Sequence, residues 1–124
     1  LRAAMEGVAL GLRNVLDELG RLAPVAEPLT LVGGGANSPL WRQICADVYH
    51  RAVVRTRAGQ QAAALGAAAV AAVGTGLWSS FERVDEVSPV ADRNEPDEAQ
   101  AALYGRLLGR YKQASALLGA WALG

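Results

Sequence analysis

The sequence predicts an α/β domain of order αβαβαα, with a short parallel sheet covered by helices. Three observations predict it: helical spacing of apolar residues at both ends of the chain, two short β-rich runs each followed by a helical pattern, and a glycine run where the first strand meets its helix. Strands that alternate with helices pair in parallel through right-handed crossovers. Two strands alone make no stable sheet of that kind, so further strands upstream of Leu1 are expected to complete it.

The first helix is marked by Leu1, Met5, Val8, Leu12, Val15, Leu16 and Leu19, with Arg2, Glu6, Arg13, Asp17 and Glu18 on the other side. One apolar buried face and one charged solvent face are expected. Arg2/Glu6 and Arg13/Asp17 sit four apart, and Gly20 with Pro24 supplies the stop signal. A linker through Pro24 and Pro28 leads to residues 29–32, Leu-Thr-Leu-Val, a β-forming run that ends in Gly33, Gly34 and Gly35.

Ser38 and Pro39 open the second helix: a serine oxygen accepts an orphan backbone N–H, and proline at the first position loses no hydrogen bond. Leu40, Ile44 and Val48, flanked by Trp41 and Cys45, form its core stripe, with Arg42, Gln43 and Asp47 off it. Residues 52–55, Ala-Val-Val-Arg, read as the second strand. An Ala-rich helix over residues 60–73 has almost no polar face, which predicts enclosure on most sides, and Gly74 and Gly76 end it. A loop with Pro89 and Pro96 precedes a last helix whose face is Leu103, Leu107, Tyr111, Ala114, Leu118 and Trp121.

At 124 residues, half of them hydrophobic, the chain has the length of one globular domain. Twelve basic and twelve acidic residues leave no net charge, and no Lys/Arg stripe is present to displace phosphate counterions, which argues against nucleic acid as a partner. Cys45 is the only cysteine, so no internal disulfide forms and no Cys/His set has metal-ligand spacing; a reducing, cytoplasmic setting is expected. The uncharged stretch at residues 62–78 is mostly Ala and Gly and falls short of the roughly 20 strongly apolar residues of a membrane span. The chain begins at Leu1 without a signal-like segment, and is expected to be a truncated piece of a longer protein.

The chemistry-bearing segment is Gly33, Gly34, Gly35, Ala36, Asn37 and Ser38. A strand, a glycine turn and a helix N-terminus aim backbone N–H groups and the positive end of a helix dipole at one point, which suits phosphate. The pattern is neither Gly-x-Gly-x-x-Gly nor the P-loop arrangement. On local pattern alone, a capped βα turn that binds nothing and a nucleotide cradle both stand.

The string from Leu31 to Val48, Leu-Val-Gly-Gly-Gly-Ala-Asn-Ser-Pro-Leu-Trp-Arg-Gln-Ile-Cys-Ala-Asp-Val, closely resembles the adenosine-binding segment of the FGGY carbohydrate kinases, the xylulokinase branch in particular. Residues 64–68, Ala-Leu-Gly-Ala-Ala, residues 2–10 and the tyrosine-bearing last helix extend the likeness over nearly the whole chain. The resemblance implies a partial actin-like, ribonuclease H-like ATPase domain. Residues 1–124 would be the latter half of the C-terminal, ATP-binding domain, with the N-terminal domain absent.

The implied activity is transfer of the ATP γ-phosphate to a pentulose such as D-xylulose, with Mg²⁺ on the nucleotide. Gly33, Gly34 and Gly35 would lie along the phosphates, and Ala36, Asn37 and Ser38 near the adenosine. The family's general base and most of its sugar pocket lie upstream of Leu1, so this chain is expected to be inactive alone. Many members carry Glu where this sequence has Gln61, which keeps open a catalytically inactive nucleotide-binding or regulatory module.

Asp47, beside Arg51, and Asp85, Glu86, Asp92 and Glu95 in the loop are expected to be solvated charges. His50 has no partner at triad or metal spacing and reads as a turn histidine; Cys45 reads as a buried thiol. Trp41 reads as packing or as a shield for the adenine, and Trp78, Phe81 and Trp121 as covered apolar residues. Arg55 and Arg57 follow a strand on the side where α/β clefts form, and are expected to be solvent-exposed. The surface of Tyr104, Leu107 and Tyr111 suits packing on the first helix or a homodimer contact.

Overall fold

The structure, a computed structural model, describes residues 1–122 and side chains through residue 119; the expectation for Trp121 lies outside the described side chains. Helix α1 (Arg2–Leu22) leads to strand β1 (Leu29–Thr30), a 3-10 turn (Gly34–Asn37) and helix α2 (Pro39–Tyr49). Strand β2 (Val53–Thr56), a second 3-10 turn (Gly59–Gln61) and helix α3 (Ala62–Gly74) follow, then α4 (Arg83–Val87), β3 (Val90–Asn94) and α5 (Glu98–Ala122).

The sheet has the order β1-β2-β3. β1 pairs with β2 in parallel, as the alternation predicts, and Leu31 N–H continues that pairing to the Val54 carbonyl at 2.8 Å. β3 corrects the expected loop and the expected all-parallel sheet: it runs antiparallel to β2, with Val53 opposite Asn94 and Arg55 opposite Asp92. Its sequence, Val-Ala-Asp-Arg-Asn between Pro89 and Pro96, hides it because an edge strand carries charge and tolerates a proline at its start.

α2 is the centre of the chain, packed by α1, α5 and the sheet. Ile44 and Cys45 of α2 and Val53 of β2 are the largest fully enclosed side chains, and Ala9, Leu10, Ala46, Val48, Tyr49 and Tyr104 join them. At the far end of α2, His50 takes a left-handed conformation with φ 51° and donates its backbone N–H to Ala46 O, closing the helix. Arg13 of α1 donates to the carbonyls of Val48, at 3.0 Å, and Tyr49, satisfying two of that helix's orphan acceptors with a cation at the negative end of its dipole.

Two expected faces are corrected. In α1 part of the charged side, Glu6, Arg13 and Asp17, turns inward, with Arg2 and Glu18 left exposed: Tyr104 Oη donates to Glu6 at 2.7 Å, Lys112 donates to Asp17 at 3.3 Å, and Arg13 reaches α2. Val8, Leu12, Val15 and Leu19 are exposed. The long polar side chains find specific partners on α2 and α5; of the expected apolar face, Met5 and Leu16 do pack against the core, while those four stay open. Likewise only Ala69 and Ala72 of α3 are buried, and Val70, Leu77 and Phe81 are exposed, with Trp78 half-buried. α5 turns Tyr104, Leu107, Leu108 and Tyr111 toward the core and leaves Leu103 and Leu118 exposed. Among the described residues, no helix is long and apolar enough to cross a membrane.

Candidate functional site

β1 delivers the chain into Gly33, whose φ of 87° and ψ of −176° lie in a region essentially closed to residues with a Cβ. Gly33 N–H donates to Gly59 O at 3.4 Å, which ties the two 3-10 turns together. The first turn is closed by Ala36 N–H to Gly33 O at 3.2 Å and Ser38 N–H to Gly35 O at 3.0 Å. Ser38 Oγ then accepts from Trp41 N–H at 3.3 Å with Pro39 in the first helical position, so the expected N-cap is present.

The six sequence-predicted site residues therefore form one continuous turn, open to different degrees. Gly34, Gly35 and Asn37 are exposed, Gly33 and Ser38 are half-buried, and Ala36 is 1% exposed. A Cβ at Gly35 would lie 3.3 Å from the Trp41 ring, tighter than ordinary contact, so glycine there leaves room for the indole. A Cβ at Gly34 would meet only the Gln60 amide, at 3.5 Å.

Beside the turn is an apolar pocket of about 350 Å³, lined by Ala4, Met5, Val8, Gly35, Ser38 and Trp41. Trp41 thus packs and walls a cavity at once. A larger pocket of about 580 Å³ lies on the α3 side, behind Ala58 and Gln61, and includes none of the six turn residues.

The solvated-charge expectation fails for two carboxylates. Asp47 is 3% exposed and accepts from Gln43 Nε2 and from Asp97 N–H, both at 2.8 Å. Asp92 is on β3, where Arg55 Nε donates to it at 2.6 Å, and Arg42 approaches at 3.7 Å. Arg42 itself is 6% exposed, although it lies off the apolar stripe, and donates to Ala36 O at 2.7 Å and Asn94 Oδ1 at 3.1 Å. Arg55 is half-buried by its pairing, whereas Arg57 is exposed as expected.

Asp85, Glu86 and Glu95 are exposed, the first two on α4. His50 is an exposed turn residue, 3.0 Å from Glu98. Burial holds the Cys45 thiol up at about 11, the state of an inert structural cysteine. Among the described residues, no group of three or more His, Cys, Asp or Glu could hold a metal ion. These residues do not fit a dedicated Mg²⁺ cage, so an ion here would arrive on a nucleotide's phosphates.

The chain is thus α/β, and its strand-turn-helix presents an open glycine turn at a helix N-terminus beside an apolar pocket. Residues 1–75 match the family model described as the C-terminal domain of the FGGY family of carbohydrate kinases, and the chain belongs to that family. It is 33% identical to the xylulose kinase of Bacillus subtilis (strain 168) over 86 residues, 69% of this chain and 17% of that protein. It is 38% identical to the glycerol kinase of Rhodopirellula baltica over 104 residues, 81% of this chain and 19% of that one.

The crystal structure of xylulose kinase from Rhodospirillum rubrum superposes with a TM-score of 0.77 at 30% identity, covering 94% of this chain and 24% of that one. The chain thus spans about a fifth of the length of the curated relatives it matches.

Proposed function

We propose that this chain forms the nucleotide-binding wall of an ATP-dependent carbohydrate kinase acting in the cytoplasm. The observation that carries it is the open turn at Gly34 and Gly35, set between the helix α2 N-terminus and the apolar pocket of Trp41. The phosphates lie along the backbone N–H groups of the turn, where the helix dipole favours negative charge. The base enters the apolar pocket, and Asn37 and Ser38 supply polar contacts near the adenosine. None of these residues would hold Mg²⁺; bound to the nucleotide's own phosphates, it would supply positive charge there, while the turn's N–H groups position the phosphates.

A sugar hydroxyl oxygen bonds to the γ-phosphorus, the bond to the β-γ bridging oxygen breaks, ADP leaves, and a carboxylate outside these residues takes the hydroxyl proton. A pentulose, D-xylulose first, is the proposed acceptor, since xylulose kinases recur among the relatives. The exposed α1 stripe and the open edge of β1 are where we place the rest of an actin-like sheet.

A second reading, a catalytically inactive nucleotide-binding module, is favoured by Gln61, exposed and uncharged at the start of α3. Calorimetric titration of Mg·ATP into the full-length protein and its Gly34→Val variant tests the site. The variant is expected to fold, because a Cβ at Gly34 meets only an ordinary contact, and to lose binding. Equal binding by both proteins refutes the site. Pentulose-dependent ATP consumption then separates the kinase from the inactive module.

A further inference from the structure

Arg42 occupies a position that the helix itself does not favour. It lies in the first turn of α2, where the dipole is positive, and it is almost fully buried. A guanidinium taken out of water needs partners for its charge and its N–H groups. Arg42 finds one cluster of them: Nη1 donates to Ala36 O at 2.7 Å, Nε to Asn94 Oδ1 at 3.1 Å, and Nη2 lies 3.7 Å from Asp92 Oδ1.

The same carboxylate holds a second arginine. Arg55 Nε donates to Asp92 Oδ2 at 2.6 Å, and its Nη1 reaches Asn37 Oδ1 at 3.4 Å. Asn94 is fixed in turn by donating to Gln43 Oε1 at 3.0 Å. Two successive residues of the glycine turn, Ala36 and Asn37, are therefore held from beneath by two arginines that share one anchor on β3. That anchor lies beyond residue 75, outside the span matched by the family model.

We propose that Arg42, anchored by Asp92 and Asn94, is a positioning residue that fixes the 3-10 turn Gly34–Asn37 in its nucleotide-receiving form, with Arg55 orienting Asn37. This rests on the nucleotide reading above. The carbonyl of Ala36 is drawn inward, so the turn cannot peel away from α2, and the open backbone of Gly34 and Gly35 keeps its geometry before ligand arrives. Preorganisation of this kind raises affinity by removing the ordering cost from binding.

The experiment compares Mg·ATP affinity in the full-length protein with that of Arg42→Met, Arg42→Lys and Asn94→Ala, each checked for native far-UV circular dichroism. Arg42→Met is expected to raise Kd about tenfold, the scale of one charge-assisted hydrogen bond. Arg42→Lys, which keeps a donor for Ala36 but not the fork, should recover part of it. Asp17→Asn, which weakens the contacts of α1 with Arg13 and Lys112 and has no link to the Arg42–Asn94–Gln43 network, should lower the melting temperature and leave Kd alone.

A folded Arg42→Met protein that binds Mg·ATP with the wild-type Kd overturns the proposal. If Arg42→Met does not fold, Asn94→Ala decides by the same measure. Wild-type protein that binds no Mg·ATP removes the nucleotide reading and this inference together, whereas wild-type binding with unaffected variants removes this inference alone.

Discussion

Replacing Asp47 by alanine should loosen the start of α5, because this buried carboxylate is the joint between α2 and α5. Its Oδ1 accepts from Asp97 N–H and from the Gln43 amide, each at 2.8 Å, and Asp97 Oδ1 in turn accepts from Gln100 N–H at 3.0 Å, capping α5. A hydrogen bond to a charged group contributes about 1.5–3 kcal/mol, and a buried donor left unpaired costs about 1–3 kcal/mol. Relief of the carboxylate's own desolvation offsets part of this, leaving a loss of about 2–3 kcal/mol.

Read by amide exchange at Asp97, Gln100 and Ala101 in the full-length protein, with each 1.4 kcal/mol a factor of ten, that is an acceleration of about 30- to 140-fold. Asp47→Asn keeps the acceptor oxygen and should lose only about 1 kcal/mol. Asp85→Ala, at an exposed carboxylate, should stay within about 0.5 kcal/mol of wild type. If exchange at the start of α5 in Asp47→Ala stays within about twofold of wild type, the joint contributes nothing and the assignment is wrong.

Other outcomes follow from the same contacts. Arg2, then Tyr104, hold Glu6 below the ordinary carboxylate range; at Asp17 burial pushes upward, but Arg13 and Lys112 outweigh it. Both folded pKa values lie below the unfolded ones, so their stabilisation is present above about pH 4 and is lost as pH falls through the folded values. Acid titration should therefore loosen the α1–α5 contact, seen in tyrosine near-UV dichroism, and a Glu6→Gln/Asp17→Asn double variant with an unchanged acid transition would contradict this.

Cys45, fully buried with its thiol held near 11 instead of 9.0, should carry about a hundredfold less thiolate than an ordinary cysteine. Iodoacetamide should label it only on unfolding, and rapid labelling of native protein would refute that. Gly33→Ala forces a Cβ into a glycine-only conformation and should cost about 1–3 kcal/mol by thermal melting, whereas Gly34→Ala should melt close to wild type. The 124-residue chain alone should self-associate through its open β1 edge and the Val8, Leu12, Val15 and Leu19 stripe; a monomer in sedimentation with a sharp unfolding transition would oppose that reading.

What could be read from the sequence was local. Helix α1, the β1 turn, the Ser38–Pro39 start of α2 and the Ala-rich helix each announce themselves within a few residues. The errors concern what each face meets. Helical periodicity separates the two sides of α1 but cannot say how much of each packs inside this chain: Met5 and Leu16 meet the core as expected, while Tyr104, Lys112 and the Val48 carbonyl, all distant in sequence, draw Glu6, Asp17 and Arg13 in as well. The same holds for Arg42 and Asp47. They look solvated because they lie off an apolar stripe, yet α2 is enclosed by α1, α5 and the sheet, and the groups that satisfy them, Asn94, Asp92 and Asp97, arrive about 50 residues later.

The site divides along the same line. Its turn was legible because glycine, serine and proline each answer a backbone need at their own position: a positive φ at Gly33, an orphan N–H at Trp41, a first helical residue at Pro39. Its support was not legible, since β3 reads as a charged loop until Asp92 is seen opposite Arg55. A consequence follows for any transplant of the motif. Residues 29–49 grafted onto another strand-turn-helix would carry the glycines and the cap, but Arg42 would enter a first helical turn with neither Asp92 nor Asn94 to receive it. The buried cation would then draw away from Ala36 toward water, and the turn would lose the contact that holds it closed.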